Sequence, residues 1–187
     1  MMLVAAAAAF LAIADGGADA VSGTALLRLP VPVIRQQKER CGPAALAMVL
    51  RYYGAAPSAV AEADRAYDHA LHGTLITDLA AAARRGGYAA EIGTLTSDAL
   101  VALLARGVPP ILLFQSGAGP LERGHYGVIV GFDPARERFA MNDGGGSTHE
   151  LSRASLEKRW SGSDHHALIV TRPDTAAGPA TGRGAAP

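Results

Sequence analysis

The stretch QQKERCGPAALAMVLRYYG, residues 36–54, decides how the chain folds. It places the only cysteine, Cys41, where a polar segment gives way to an apolar one. Pro43 follows where proline is favoured in a first helical turn, and Gly54 suits the left-handed residue that ends a helix. The apolar residues between them recur at helical spacing. We therefore predict a helix over 42–53 that buries one face and carries Cys41 at its N-terminus.

A cysteine at the start of a helix is chemically activated. The free N–H groups and the dipole of the helix N-terminus favour the thiolate, so they lower the pKa of the thiol. The alternative is an inert cysteine that packs as a small hydrophobic residue, which is usual for a lone cysteine beside alanines. The polar flank of residues 35–40 favours a reactive Cys41, because the thiol then lies at a boundary and not inside an apolar run.

Composition limits the class of protein. The 187 residues suit one domain with short appendages, and 49% hydrophobic with 18% charged residues is enough for a core. Lys plus Arg and Asp plus Glu balance at 17 each, so we expect no nucleic-acid partner. A single cysteine excludes an internal disulfide and a multi-cysteine zinc site. The chain has no GxxxxGK[ST] phosphate loop, so we expect no ATP, and we expect no cofactor.

The two ends of the chain differ from its centre. Residues 1–14, MMLVAAAAAFLAIA, are too short to span a bilayer comfortably and resemble the apolar part of a secretory signal. We predict a signal peptide or N-terminal hydrophobic segment over residues 1–22, although no basic residue precedes the run; a buried helix is the alternative. The protein is then expected to be exported, periplasmic or extracellular, with membrane anchoring through this segment left open. Residues 173–187 are rich in Ala, Gly and Pro and are predicted to be a disordered tail.

Residues 26–172 are predicted to form a single domain. Leu26–Ile34 mixes strand-forming residues with prolines, so we predict an extended lead-in that is at most an edge strand. Helical patterns dominate the first half, where Ser58 and Thr77 are predicted N-caps. The predicted helices are 42–53, 59–70, 78–85, 97–107 and 152–160. The predicted strands are 88–92, 111–114, 126–132, 138–141 and 167–171.

The order of these elements predicts the fold class. Most helices precede most strands, which favours an α+β domain with N-terminal helices packed on a C-terminal antiparallel sheet. A doubly wound parallel sheet would alternate its helices and strands along the whole chain. We find no internal repeat.

A histidine and an aspartate fall where two neighbouring strands can bring them together. His125 follows a glycine-containing loop and begins the strand YGVIVGF, and Asp143 follows the end of the next predicted strand. Adjacent antiparallel strands would let the Asp143 carboxylate accept from the His125 ring N–H and fix its tautomer. Taken alone, His125 is an ordinary strand-end residue and Asp143 an ordinary turn residue beside glycines. Together with Cys41 they supply the nucleophile, base and orienting group that thiol-dependent hydrolysis needs.

The chain resembles a known enzyme family over roughly residues 30–171. The matching residues are the QxxxxCGPAAL block at 36–46, then Gly124-His125-Tyr126, then Asn142-Asp143. They are similar to the bacteriocin-processing cysteine peptidases that cut double-glycine leaders, which are papain-like enzymes. The resemblance implies a papain-like fold and a peptide or protein substrate. It also implies that Cys41 is the nucleophile, His125 the general base and acid, and Asp143 the residue that orients His125.

The same resemblance makes Gln36 the oxyanion-hole donor, acting with the backbone N–H of Cys41. A side-chain amide can meet a developing oxyanion without changing its own charge. Two neighbours remain alternatives at this point: Gln37 for the oxyanion role, although the spacing favours Gln36, and Asn142 for orienting His125. The familiar relatives are fused to a transporter with membrane spans and an ATPase. Without these parts, the chain is expected to be a stand-alone, exported relative, in which cleavage of double-glycine leaders remains open.

Three other functions are weighed against an endopeptidase. The same triad could serve acyl or amide transfer, since the cleft decides whether water or an amine is the acceptor. A non-catalytic peptide-binding module of the same fold is a second alternative, against which the presence of all four candidate residues argues. Metal binding by His149, His165 and His166 is a third, and it is disfavoured because the sequence shows no recognised ligand spacing.

Overall fold

A computed structural model describes residues 26–117 and 123–173. The segment predicted as an export signal and the tail beyond residue 173 lie outside the described residues. The helices are α1 (Cys41–Tyr52), α2 (Pro57–Ala61), α3 (Ile76–Arg85), α4 (Ser97–Ala105) and α5 (Arg153–Trp160). The strands are β1 (Leu27–Arg28), β2 (Ala89–Thr94), β3 (Ile111–Ser116), β4 (Arg123–Asp133), β5 (Arg138–Asn142), β6 (Thr148–Ser152) and β7 (His166–Thr171).

Across the described ranges, seven strands form one antiparallel sheet in the order β2-β7-β3-β4-β5-β6, and β1 pairs with the end of β4. The long strand β4 is the centre of this arrangement. Its first half pairs with β3, where His125 lies opposite Phe114, and its middle pairs with β5, where Val128 lies opposite Asn142. This confirms the predicted α+β class with an antiparallel sheet. It also brings the turn after β5 close to the start of β4.

Helices cover both faces of the sheet. On one face, α1 packs against alternate residues of β4, namely Tyr126, Val128 and Val130, and α3 packs against β2 and β7. On the other face, α4 and α5 pack around the fully buried Trp160. Leu46 of α1 has no exposed surface, and burying a side chain of this size stabilises the fold by roughly 2 kcal/mol. Because α1 is held firmly against β4, its first residue has a fixed position beside the sheet.

Helix α1 confirms the prediction for residues 42–53 to within one residue at each end. Gly54 follows it with φ +75°, the left-handed conformation predicted from the sequence. The helix predicted over 59–70 is wrong, because α2 stops at Ala61 and only a 3-10 turn over Ala63–Ala66 follows. The Asp68 side chain accepts hydrogen bonds from the backbone N–H groups of Ala70 and Leu71, so it stabilises a turn in place of a helix.

Two predicted caps are also wrong, and one strand was missed. Ser58 lies inside α2, because Pro57 takes the first helical position. Thr77 lies inside α3, where Leu75 occupies the N-cap without a side-chain bond. Strand β6, with the sequence THELS, lacks an apolar pattern because it is an edge strand paired only with β5.

No helix within the described part of the chain is both long and apolar enough to cross a membrane.

Candidate active site

Cys41 is the first residue of α1 and is partly buried. Gly42, directly after it, lets the helix start against neighbouring elements. A Cβ at residue 42 would lie 3.1 Å from Cβ of Thr74 and 3.2 Å from the ring of Tyr126. In the CGP sequence, Pro43 occupies an early helical position where proline is favoured, and Gly42 fits where neighbouring side chains leave little room for a Cβ. Together they place the thiol at the edge of a cleft.

The Cys41 thiol and the His125 ring line the same cleft, and each shifts the pKa of the other. Burial alone would raise the pKa of Cys41, but the hydrogen bond to His125 and the nearby backbone N–H groups of Tyr126 and Gly42 bring the pKa below its ordinary value. Burial alone would lower the pKa of His125, but its contacts with Cys41 and Asp143 raise it above the usual range. Opposite shifts of this kind favour a thiolate beside an imidazolium.

The other side of the His125 ring meets a backbone carbonyl. Its Nε2 atom lies 2.9 Å from the carbonyl oxygen of Asp143. A carbonyl oxygen only accepts hydrogen bonds, so Nε2 must carry a proton, and Nδ1 is the ring nitrogen left for the thiol. The turn after β5 therefore fixes the tautomer of His125. The structure differs here from the expectation of a bond to the carboxylate.

The carboxylate of Asp143 has other partners. Its Oδ1 accepts the backbone N–H of Gly145 at 3.0 Å, and its Oδ2 lies 3.7 Å from Nε2 of His149. The first contact closes a short turn of the kind that aspartate commonly makes with the backbone two residues on. The carboxylate thus shapes the turn that presents the carbonyl group, and its charge still contributes to the raised pKa of His125.

Asn142, the alternative orienting residue, is fully buried and has its amide engaged elsewhere. Its Nδ2 donates to the carbonyl oxygen of Val31 at 3.3 Å, and its Oδ1 accepts from the hydroxyl of Thr148 at 2.6 Å. These bonds join β5 to the chain before α1 and to β6. Neither of them reaches His125.

Gln36 and its neighbour Gln37 lie in different places. Gln36 lines both the cleft of Cys41 and His125 and the neighbouring groove beside α1, whereas Gln37 is exposed and lines that groove without reaching the cleft. The backbone N–H of Gln36 donates to the carbonyl oxygen of Gly144 at 3.0 Å. Its side-chain Oε1 is buried and has no hydrogen-bond partner. The oxygen end of the amide is therefore enclosed by the protein although no protein group donates to it.

The cleft that holds Cys41, Gln36 and His125 is open and has a volume of about 1010 Å³. One wall is the segment before α3, in which Leu71 is 56% and Leu75 is 53% exposed. The opposite wall comes from the start of β4 and the end of β3. A cleft of this volume, with apolar side chains along one wall, suits an extended peptide.

Some neighbours of the site do not stand out in the sequence. The Phe114 ring meets the His125 ring edge-on, with the ring centres 5.3 Å apart, and the Tyr126 hydroxyl donates to the carbonyl oxygen of Thr74 at 3.1 Å. The strand register that pairs residue 114 with residue 125 is the signal that could have located Phe114.

The three histidines weighed as metal ligands have separate partners. His149 faces Asp143, Nε2 of His165 lies 2.9 Å from the carboxylate of Glu157, and Nδ1 of His166 lies 2.8 Å from a backbone carbonyl oxygen. In residues 26–117 and 123–173, no group of three or more His, Cys, Asp or Glu side chains is arranged to hold a metal ion.

Solved structures that share this fold include three peptidases or peptidase domains. A double-glycine-motif protease from an AMS/PCAT transporter, in complex with its leader peptide, is 24% identical with a TM-score of 0.59, covering 76% of this chain and 92% of its own. The peptidase domain of Streptococcus ComA is 20% identical with a TM-score of 0.59, and the match covers 76% of this chain and 98% of that domain. A C39-like peptidase from Bacillus anthracis is 16% identical with a TM-score of 0.62, and the match covers 79% of this chain and 98% of that one.

At these identities the three likenesses establish the fold, and the sequence itself establishes the family. No curated protein sequence matches the chain significantly. The model of the Peptidase_C39 like family, however, matches residues 28–168, which is most of the chain and includes the candidate site. The chain therefore belongs to the Peptidase C39-like family and is a cysteine peptidase.

Proposed function

We propose that this peptidase is an endopeptidase that hydrolyses peptide bonds through an acyl-enzyme on Cys41. The observation that carries the proposal is that Cys41 and His125 line one cleft, with the pKa of the thiol lowered and the pKa of the imidazole raised by their interaction. This pairing turns a weak nucleophile into a strong one. Asp143 completes the proposed triad by holding the His125 ring through its carbonyl group.

The chemical steps follow from the roles of these groups. The Cys41 thiolate attacks the scissile carbonyl carbon, and the oxyanion that forms is held by the Gln36 side-chain amide and the backbone N–H of Cys41. His125 then gives its Nδ1 proton to the leaving amine, and the carbon–nitrogen bond breaks. Water attacks the resulting thioester while His125 accepts its proton, which releases the carboxylic acid and restores the thiolate.

We further propose that the substrates are leader peptides cut after a small-residue motif such as Gly-Gly. Support comes from the double-glycine-motif protease, a peptidase of the same fold that was solved with its leader peptide. The open cleft and the exposed Leu71 and Leu75 give an extended peptide an apolar surface next to the thiol.

A peptide panel tests the proposal. Peptides of about 20 residues with an internal Gly-Gly, and matched peptides with Ala-Ala or Val-Val, are incubated with the wild type and with Cys41→Ala, and the products are identified by mass spectrometry. We expect cleavage after Gly-Gly by the wild type alone. Transfer of the acyl group to an added amine in preference to water would identify a transferase. Tight binding of the peptides without any product would identify a peptide-binding module.

Export is a separate proposal, based on the apolar run of residues 1–14 and the small residues at 18–20. The protein is expected in the periplasm or outside the cell, with removal of about the first 20 residues. N-terminal sequencing of protein recovered from each cell fraction tests this. Recovery of the intact N-terminus in the cytoplasmic fraction would contradict it.

A further inference from the structure

One turn contacts both the base and the oxyanion residue. The carbonyl oxygen of Asp143 lies 2.9 Å from Nε2 of His125, and the carbonyl oxygen of the next residue, Gly144, accepts the backbone N–H of Gln36 at 3.0 Å. Two successive peptide groups of the chain after β5 therefore face two different functional side chains.

Gly144 is the residue of this turn that is packed most tightly on Gln36. A Cβ at residue 144 would lie 2.5 Å from Oε1, 2.9 Å from Cβ and 3.0 Å from Cγ of Gln36. The residue also has φ +85°, a backbone conformation that side chains disfavour. Its two glycine neighbours have other contacts: a Cβ at Gly145 would approach only Asp143, and one at Gly146 would meet the guanidinium of Arg35.

We infer that Gly144 is a positioning residue for catalysis, which holds the Gln36 side chain where its amide can meet the oxyanion. This inference rests on the proposed oxyanion role of Gln36. The carbonyl of Gly144 fixes the Gln36 backbone, and the missing Cβ leaves space that the buried Oε1 atom occupies. With Oε1 held on the protein side and without a partner, the NH₂ group of the amide is left to face the cleft. Any side chain at residue 144 has to displace the amide.

The chain offers a matched control for this inference. Gly87 has φ +88°, almost the same backbone conformation as Gly144, but a Cβ there would meet nothing within 4 Å. Gly144→Ala and Gly87→Ala therefore carry the same backbone strain and differ in the contact with Gln36. We expect Gly144→Ala to lose at least as much thermal stability as Gly87→Ala, because it adds the contact with Gln36 to the same backbone strain. Only Gly144→Ala is expected to lose kcat, by up to the roughly 10²–10³-fold loss that follows removal of one oxyanion donor, with KM little changed.

The experiment combines kinetics with structure determination. Turnover of a fluorogenic peptide that has Gly-Gly before the scissile bond is measured for wild type, Gly144→Ala, Gly87→Ala, Gln36→Ala and the double variant Gln36→Ala/Gly144→Ala. Crystal structures of the two glycine variants give the position of the Gln36 amide. We expect the amide to be displaced in Gly144→Ala alone, and the double variant to be no slower than Gln36→Ala.

The possible results separate this inference from the proposed function. If the wild type does not cleave the peptide, the proposed function fails, and the crystal structures still decide whether Gly144 positions Gln36. If the wild type cleaves the peptide and Gln36→Ala keeps full activity, the peptidase function stands, but the oxyanion role of Gln36 and this inference are wrong. If Gln36→Ala is slow but Gly144→Ala is as fast as Gly87→Ala, with the amide in place, the inference is wrong. Should Gly144→Ala fail to fold, the double variant is expected to regain stability, because the contacts with Oε1 and Cγ are gone. A double variant no more stable than Gly144→Ala would overturn the inference.

The rate of Cys41 alkylation by iodoacetamide is a further measurement that separates Gly144 from the Cys41–His125 pair. This reaction has no carbonyl oxyanion, so we expect Gly144→Ala to keep the wild-type rate and pH dependence of alkylation while it loses peptide turnover. Loss of both would mean that the substitution had disturbed the Cys41–His125 pair through Asp143, and the inference would then be wrong.

Discussion

The Nε2 atom of His125 lies 2.9 Å from the backbone carbonyl oxygen of Asp143, while the carboxylate of Asp143 accepts the N–H of Gly145. The hydrogen bond that orients His125 therefore comes from the backbone of residue 143, and a side-chain substitution there does not remove it directly. What the carboxylate supplies is the shape of the turn and a negative charge near the imidazolium. This division of roles leads to a specific pattern of mutant activities.

Asp143→Asn and Asp143→Ala are expected to differ. The Asn side chain can still accept the N–H of Gly145 and keep the turn, so we expect kcat to fall by less than about 10-fold. The lost charge should lower the pKa of His125 and move the alkaline limb of the pH–rate profile to lower pH. Asp143→Ala loses the turn contact as well and should be slower. Kinetics across pH 5–9 measure both effects.

His125→Ala is the reference for these variants. It removes the general base and acid, so we expect a loss of at least the roughly 10²–10⁴-fold that proton transfer contributes. Asp143→Ala should lose less, because its carbonyl group remains. An Asp143→Ala enzyme slower than His125→Ala would mean that the triad acts differently from this account.

Cys41→Ala is expected to abolish peptide cleavage and leave the fold intact. The side chain is small, partly buried and at the first position of α1, so the free energy of unfolding should change by less than about 1 kcal/mol. Denaturant unfolding followed by circular dichroism measures the stability. Residual cleavage by this variant would show that another residue is the nucleophile.

Gln36→Ala and Gln37→Ala form a pair of neighbouring variants with opposite expected results. Gln36 lines the cleft, and loss of one oxyanion donor lowers kcat by roughly 10²–10³-fold. Gln37 is exposed and lies outside the cleft, so Gln37→Ala should match the wild type. Steady-state kinetics on the Gly-Gly peptide distinguish them. Equal losses in both variants would point to a role of this segment in folding and not in oxyanion binding.

The sequence predicted the elements whose signals are local. The helix after Cys41 has a proline in its first turn, a regular apolar face and a glycine at its end, and the structure confirms it to within a residue. The strands β3, β4, β5 and β7 have apolar runs and were predicted in the correct order. Strand β6 was missed because an edge strand needs no apolar pattern.

The contacts of the candidate site join residues that are far apart along the chain, so local sequence patterns predict them less well. Sequence patterns placed His125 and Asp143 at neighbouring strand ends, and the turn after β5 does meet His125. They could not show which oxygen of Asp143 faces the ring, because that depends on backbone torsions in a turn with two left-handed glycines, Gly144 and Gly146. For the same reason, the contact between Gly144 and Gln36, 108 residues apart along the chain, has no local signal.

The pH dependence of Cys41 alkylation by iodoacetamide, in the wild type and in His125→Ala, tests the central claim most directly. The hydrogen bond and charge of His125 oppose the effect of burial on the thiol pKa. We therefore expect the wild-type thiol to react below the ordinary cysteine pKa of about 8.5. We also expect the profile to move to higher pH in His125→Ala, where only the backbone N–H groups of Tyr126 and Gly42 still oppose the effect of burial. A wild-type profile near 8.5 that is the same in His125→Ala would contradict the account, because Cys41 would then be an ordinary thiol.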